Sequence, residues 1–121
     1  MRHILIVDDD EDLVQTLKVR LESDADFVVS TVYNGEEALR AVQRKTPDLI
    51  VLDIMMPKMD GLTTLKAINK MMDAKVPVII MTGKATMLKE AFQLEGACDF
   101  LTKPVNGGDL AKQIKGILQA V

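Results

Sequence analysis

The middle of the chain contains a short apolar run that ends abruptly on an acid. Residues 49–52 are Leu-Ile-Val-Leu, and Asp53 follows them directly. Such a run predicts a strand that is buried on both faces, as in parallel sheets. Open α/β sheets place their chemistry at the carboxyl ends of these strands, so Asp53 is a candidate functional residue. An isolated acid at this point is more often a helix cap or a solvent-facing group, and the rest of the chain decides between these interpretations.

Segments of two alternating kinds make up the chain. Short runs rich in Val, Ile, Leu and Phe predict strands, and apolar residues three and four positions apart predict helices. The predicted strands are residues 3–7, 27–32, 48–53, 78–81 and 100–102. The predicted helices have inner faces formed by Leu13, Val14, Leu17 and Leu21; by Ala38, Leu39 and Val42; by Leu65, Ile68 and Met72; by Met87, Leu88, Ala91 and Phe92; and by Leu110, Ile114, Ile117, Leu118 and Val121. Asn34 is predicted to cap the second helix, Gly96 to end the fourth, and Gly107 and Gly108 to form a loose, flexible entry before the fifth.

This alternation predicts a single α/β domain over residues 1–121. The connections are too long for hairpins, so the five strands should be parallel, with helices covering both faces of the sheet. The common doubly wound, flavodoxin-like order for five strands is 2-1-3-4-5, and right-handed crossovers leave few alternatives. In that order the first and third strands are neighbours, so we expect Asp8, Asp9 and Asp53 to share one pocket.

Four of the five predicted strands end on groups suited to phosphate or metal chemistry. These groups are Asp8 and Asp9, Asp53, Thr82 and Lys103. Neighbouring carboxylates repel one another unless a cation is present, and hard oxygen ligands at one edge suit Mg²⁺. Each residue has a plainer interpretation as a helix cap, a strand-end hydroxyl or a solvated lysine. Their coincidence at four strand ends favours a common site.

Composition and charge exclude several functions. A net charge of -3 without a Lys/Arg cluster argues against direct nucleic-acid binding. No apolar run approaches the roughly 18 residues of a membrane span, and no signal peptide is evident, so we expect a cytoplasmic protein without membrane insertion. The single cysteine, Cys98, rules out an intramolecular disulfide, and the single histidine, His3, makes a soft metal site unexpected. We predict Cys98 to be a small packing residue.

Nearly the whole chain resembles the receiver domain of bacterial two-component response regulators. The resemblance rests on the stretches IVDDDED, DLIVLDIMMPKMDG, VIIMTGK and GACDFLTKP, in the family's order and near its spacing. It implies the (βα)5 receiver fold and a signalling domain activated by phosphorylation, of the stand-alone chemotaxis-regulator or sporulation-relay kind. Such a domain catalyses only its own phosphotransfer and autodephosphorylation.

The resemblance also implies roles for the strand-end residues. Asp53 resembles the phosphoacceptor, which takes a phosphoryl group from a phosphohistidine. Asp9, Asp53 and the backbone carbonyl of Met55 would bind Mg²⁺, for which Mn²⁺ could substitute, and Asp8 would reach the ion through water. Lys103 would pair with the phosphoryl oxygens as a point charge.

The resemblance also implies a conformational change after phosphorylation. The resemblance implies that Thr82 donates its hydroxyl to the phosphoryl group and that Phe100 then changes rotamer. The surface formed by the fourth helix, fifth strand and fifth helix would carry this change to a partner. The Lys103–Pro104 bond is expected to be cis.

Two positions resemble the family's tuners of phosphoryl lifetime, Met55 and Lys84. Our hypothesis is that the apolar Met55 does not orient the attacking water, so that the phosphoryl group is lost slowly. The segment 83–96 looks slightly shorter than in the family, which puts the start of the fourth helix and the partner surface in question.

The implied partners are a sensor histidine kinase or histidine phosphotransfer protein, and a downstream protein target or fused effector domain. A phosphorelay intermediate is an alternative function. An aspartate-nucleophile phosphatase is a weaker one, because such enzymes need a second acid where this chain has Met55. A P-loop needs Ser or Thr where Ala85 stands, an EF-hand needs Gly where Leu13 stands, and the acidic first loop does not suit a flavin phosphate.

Overall fold

Strands that return to the same end of a sheet through helices must run parallel. The computed structural model describes residues 2–24, 26–54, 61–73, 75–83 and 96–119, and within them five strands form one parallel sheet. The strands are β1 (Arg2–Val7), β2 (Phe27–Val32), β3 (Leu49–Asp53), β4 (Val78–Thr82) and β5 (Asp99–Thr102). Their order is β2-β1-β3-β4-β5, which confirms the predicted fold class and strand order.

The described helices begin and end close to the predicted positions. They are α1 (Glu11–Glu22), α2 (Gly35–Arg44), α3 (Gly61–Met72) and a C-terminal helix (Gly107–Gln119). Asn34 caps α2 as predicted, because its Oδ1 accepts the Glu37 N–H at 2.9 Å. In return the Glu37 Oε1 accepts the Tyr33 N–H at 2.8 Å, and the two bonds together fix the start of α2.

The core consists of two apolar layers, one on each face of the sheet. Successive strand residues point to opposite faces, so β1 contributes Ile4 and Ile6 to one layer and Leu5 and Val7 to the other. The first layer packs against α1 and the C-terminal helix, and the second against α2 and α3. All five residues of β3 are buried, which agrees with its central place and its continuous apolar sequence.

Two expectations about small residues were wrong. Cys98 is exposed and does not fill the core, because it lies ahead of β5 at the edge of the sheet. Gly107 and Gly108 do not precede the C-terminal helix, since they are its first two residues. Asn106 Oδ1 accepts the N–H groups of Gly108 at 2.8 Å and Asp109 at 3.1 Å, which orders this helix start.

The predicted fourth helix lies outside the described residues. Gly96, predicted to end it, has a φ of 91°, in the left-handed region that favours glycine. None of the described helices combines the length and hydropathy that a bilayer-spanning segment requires.

Candidate functional site

The strand registers bring four polar strand ends together at the carboxyl-terminal end of the sheet. Val7 pairs with Leu52, so the residues that follow β1 lie beside Asp53 at the end of β3. Asp53 pairs in turn with Met81, so that Thr82 comes next on β4. Thr82 pairs with Thr102 on β5, and Lys103 follows directly. Parallel pairing therefore collects residues from distant parts of the chain into one cluster.

Three carboxylates form an acidic cluster at this end of the sheet. Oxygens of Asp8, Asp9 and Asp53 all lie within 4.8 Å of one another. Asp8 and Asp53 are buried, whereas Asp9 is exposed. The spacing is similar to the separation of about 4 Å between opposite oxygen ligands of Mg²⁺. All-oxygen donors with one side open to solvent fit a hard divalent cation that retains water.

Asp8 is oriented by the backbone at the start of α1. Its Oδ1 accepts the Asp10 N–H at 3.0 Å. Its Oδ2 is buried, and Lys103 Nζ lies 2.8 Å from it as an ion-pair partner. A buried carboxylate oxygen with lone pairs to spare suits a further cation or a water bound to one.

Lys103 supplies positive charge to the cluster. Its Nζ lies 2.8 Å from Asp8 Oδ2 and 3.5 Å from Asp53 Oδ2. Partial burial acts to lower the pKa of the Lys103 ammonium, but the contacts with Asp8 and the charge of Asp53 outweigh it, so the pKa lies above its usual value. The lysine therefore stays charged at neutral pH. The Lys103–Pro104 peptide bond is cis.

The two expected switch residues occupy different environments. Thr82 is buried at the end of β4, and its carbonyl accepts the Lys103 N–H at 2.6 Å. This bond ties the strand end that carries Thr82 to the residue that carries the ammonium. Phe100 is half-buried and packs against the apolar layer that contains Ile80 and Val78. Thr82 thus lies at the same end of the sheet as the acidic cluster, and Phe100 lies two residues before the end of β5.

Two predicted site residues, Met55 and Lys84, fall outside the described part of the chain. Met55 is expected to offer its carbonyl to a metal and to tune phosphoryl lifetime. Lys84 is the second expected tuner. Both roles stay predictions.

One residue of functional importance was missed in the sequence. Asp10, and not Asp8 or Asp9, caps α1, because its Oδ1 accepts the Leu13 N–H at 3.1 Å. The signal was present, since Asp10 stands three residues before the first apolar position of the helix. The cap releases Asp8 and Asp9 from that role and leaves their carboxylates available to the cluster.

Comparison with known proteins identifies the family. The sequence profile of the response regulator receiver domain matches residues 4–115. The alkaline phosphatase synthesis transcriptional regulatory protein PhoP of Bacillus subtilis (strain 168) is 37% identical over 119 residues, which are 98% of this chain and 49% of PhoP. The transcriptional regulatory protein CpxR of Escherichia coli (strain K12) is 41% identical over 120 residues, or 98% of this chain and 50% of CpxR. The chain thus spans about half the length of these relatives.

Solved structures agree with this assignment. A CheY-like receiver domain protein from Methanospirillum hungatei has a TM-score of 0.91 and 31% identity, covering 99% of this chain and 95% of that one. The chemotaxis protein CheY4 of Vibrio cholerae has a TM-score of 0.88 and 31% identity, covering 97% of this chain and 98% of that one. Fold, profile and relatives agree, and the chain belongs to the response regulator receiver domain family of two-component systems.

Proposed function

We propose that the domain is switched by phosphorylation of Asp53. A carboxylate oxygen of Asp53 forms a bond to phosphorus while the P–N bond of a phosphohistidine on a partner kinase or phosphotransfer protein breaks. The imidazole nitrogen keeps the electron pair and takes up a proton from solvent. The observation that carries this proposal is a buried aspartate at a strand end with Lys103 Nζ 3.5 Å away and two more carboxylates beside it.

Phosphoryl transfer to Asp53 would require the domain mainly to position the reacting groups and to neutralise charge. Carboxylates are ordinarily ionised at neutral pH, so the nucleophile needs no general base. Phosphoryl transfer is then accelerated mainly by positioning and by neutralising the oxygens of the transferred group. Lys103, charged and adjacent to Asp53, supplies one positive charge for that purpose. Thr82, buried at the neighbouring strand end, would donate its hydroxyl to a phosphoryl oxygen.

The acidic cluster requires a divalent cation for the same reaction. Asp9 and Asp53 would bind Mg²⁺ directly, with Asp8 acting through water and Mn²⁺ able to replace Mg²⁺. When bound, the ion would neutralise charge on the phosphoryl oxygens. The donor set supports this assignment because it consists of oxygens only, and two of its three carboxylates, those of Asp8 and Asp53, are buried. Catalysis is limited to the domain's own phosphotransfer and autodephosphorylation.

The output is a change of surface that a protein partner or effector domain reads. Phe100 is half-buried on β5, two residues before Thr102 and three before Lys103, so a movement of Lys103 would be transmitted to it along a short stretch of backbone. The relatives PhoP and CpxR are named transcriptional regulators and are about twice as long as this chain. We therefore assign this domain an output through a transcription-regulating effector, in the same chain or in a partner.

A mass measurement tests the phosphoacceptor. Incubation with acetyl phosphate and Mg²⁺ should add one phosphoryl group, about 80 Da, and chelation of the metal should prevent the gain. Asp53→Asn should abolish the gain, whereas Asp26→Asn, which changes an exposed acid remote from the cluster, should leave it intact. An equal gain in Asp53→Asn would move the acceptor to another residue. No gain in the wild type, from acetyl phosphate or from a phosphorylated kinase, would contradict the proposal.

A further inference from the structure

The first residue of α3 lies against the backbone that directly follows Asp53. A Cβ atom built on Gly61 would lie 2.5 Å from the Cα and 3.0 Å from the Cβ of Ile54. The Gly61 N–H also donates to the Ile54 carbonyl at 3.3 Å. Any side chain at position 61 would therefore collide with main-chain atoms and not with the flexible end of a neighbour.

Ile54 has little freedom to move away. Its N–H donates to the Met81 carbonyl at 3.3 Å on the adjacent strand, and its side chain is buried in the apolar layer under α3. The helix has little freedom either, because Leu65 and Ile68 fix its inner face in the same layer. An added methyl group at position 61 would thus strain the backbone at Ile54, the residue that directly follows Asp53.

We infer that Gly61 is a positioning residue for Asp53. The absence of a side chain lets α3 hold the Asp53–Ile54 backbone in place, and this sets the Asp53 carboxylate relative to Asp8, Asp9 and Lys103. The inference rests on the proposed function of Asp53. Only a small displacement of the Asp53 carboxylate can be tolerated, because the Lys103 Nζ to Asp53 Oδ2 distance of 3.5 Å is already at the outer limit of a hydrogen bond.

The substitution Gly61→Ala isolates this contact. Gly61 does not have a positive φ, so alanine introduces no backbone strain, and alanine is the better helix former. Gly116→Ala is a matched control within the C-terminal helix, where an added Cβ would have no heavy atom within 4 Å apart from its chain neighbours and the nearby backbone of its own helix. Both variants make the same chemical change, and only one of them pushes on the phosphoacceptor strand.

Three measurements on wild type and both variants form the test: the Mg²⁺ dissociation constant, the phosphorylation rate with acetyl phosphate at saturating Mg²⁺, and urea unfolding. Gly61→Ala should weaken Mg²⁺ binding and slow phosphorylation by about tenfold or more each, since small misplacements of reacting groups are costly. Gly116→Ala should match the wild type in both. A folded Gly61→Ala protein with wild-type Mg²⁺ affinity and rate would overturn the inference. If Gly61→Ala binds Mg²⁺ more weakly than the wild type but the wild type accepts no phosphoryl group, the proposed function alone is overturned and the positioning role of Gly61 stands.

If Gly61→Ala does not fold, a hydrogen-exchange measurement on the wild type tests whether Gly61 positions Asp53. Linkage is reciprocal, so a contact that favours metal binding must itself be favoured by the metal. Saturating Mg²⁺ should therefore slow hydrogen exchange of the Gly61 amide severalfold, while the Gly116 amide exchanges at an unchanged rate. Equal exchange of the Gly61 amide with and without Mg²⁺ would overturn the inference.

Discussion

Lys103 lies closer to Asp8 than to Asp53, with Nζ to Oδ2 distances of 2.8 and 3.5 Å respectively. Both carboxylates are buried, and burial of a carboxylate is costly unless a cation accompanies it. The ammonium therefore stabilises the first and third strand ends at once. The proposed phosphorylation of Asp53 would add negative charge there, and we expect the ammonium then to shift towards Asp53 and away from Asp8.

Removing this ammonium should destabilise the metal-free domain. In Lys103→Met, Asp8 becomes a buried carboxylate without its ion-pair partner, so the free energy of unfolding should fall by about 1–3 kcal/mol at neutral pH, the cost of leaving a buried acceptor unsatisfied. Urea unfolding with a chelator present measures the loss. Lys112→Met, which alters an exposed lysine of the C-terminal helix, should change stability by less than about 0.5 kcal/mol. Equal losses in the two variants would contradict the role of the ion pair.

The same contribution should disappear at high pH. The pKa of Lys103 is raised in the folded state, so above the ordinary lysine pKa of about 10.4 the folded protein binds more protons than the unfolded chain. Stability then falls with rising pH. The stability difference between wild type and Lys103→Met should be constant below about pH 10 and shrink above it. A difference that persists through the alkaline range would show that packing and not charge is responsible.

His3 should destabilise the fold in mild acid. Burial, and secondarily the charge of Lys45, lower the pKa of the His3 imidazole, whose Nε2 lies 2.8 Å from Ser30 Oγ. The unfolded chain therefore takes up a proton first, and stability falls as the pH drops below about 6.5. NMR titration of this single histidine gives its pKa directly. Lys45→Gln should raise that pKa and Lys112→Gln should leave it unchanged; no response to Lys45→Gln would remove Lys45 as a cause.

Asp10, the cap of α1, should contribute to stability but not to Mg²⁺ binding by the acidic cluster. Asp10→Ala removes the acceptor for the Leu13 N–H and should lower the free energy of unfolding by about 1 kcal/mol. Asp10→Asn retains an acceptor oxygen and should be close to the wild type. Neither variant should change Mg²⁺ affinity by more than about twofold, because Asp10 lies outside the cluster. A large loss of Mg²⁺ affinity in Asp10→Asn would place Asp10 among the ligands.

Two glycines of the C-terminal helix should respond to alanine with opposite sign. Gly116→Ala adds a methyl group in open space and should stabilise the protein by up to about 1 kcal/mol. Gly107→Ala places a Cβ 2.6 Å from Arg20 Cγ and 2.9 Å from Arg20 Cβ, close to the α1 backbone, so it should be destabilising. Thermal unfolding ranks the variants, and stabilisation by Gly107→Ala would show that Arg20 yields easily.

Prediction from the sequence succeeded where the signal is local. Strand β3 was predicted from consecutive apolar residues and α2 from its cap at Asn34, and both begin within one residue of the predicted position. Prediction failed for Cys98, which was predicted to be a small packing residue and is exposed. Small residues carry little periodic signal, so their burial depends on what the fold brings next to them.

The sequence by itself determined the alternation of strands and helices, the acids at the ends of β1 and β3, and membership of the receiver family. The strand order came from the common pattern for five parallel strands and was not encoded in any single stretch. Tertiary structure alone decided that Asp8 is buried while Asp9 is exposed, that Lys103 pairs more closely with Asp8 than with Asp53, and that Gly61 lies against Ile54. The physical reason is that local patterns specify elements, whereas distances between residues far apart in the chain depend on register and packing.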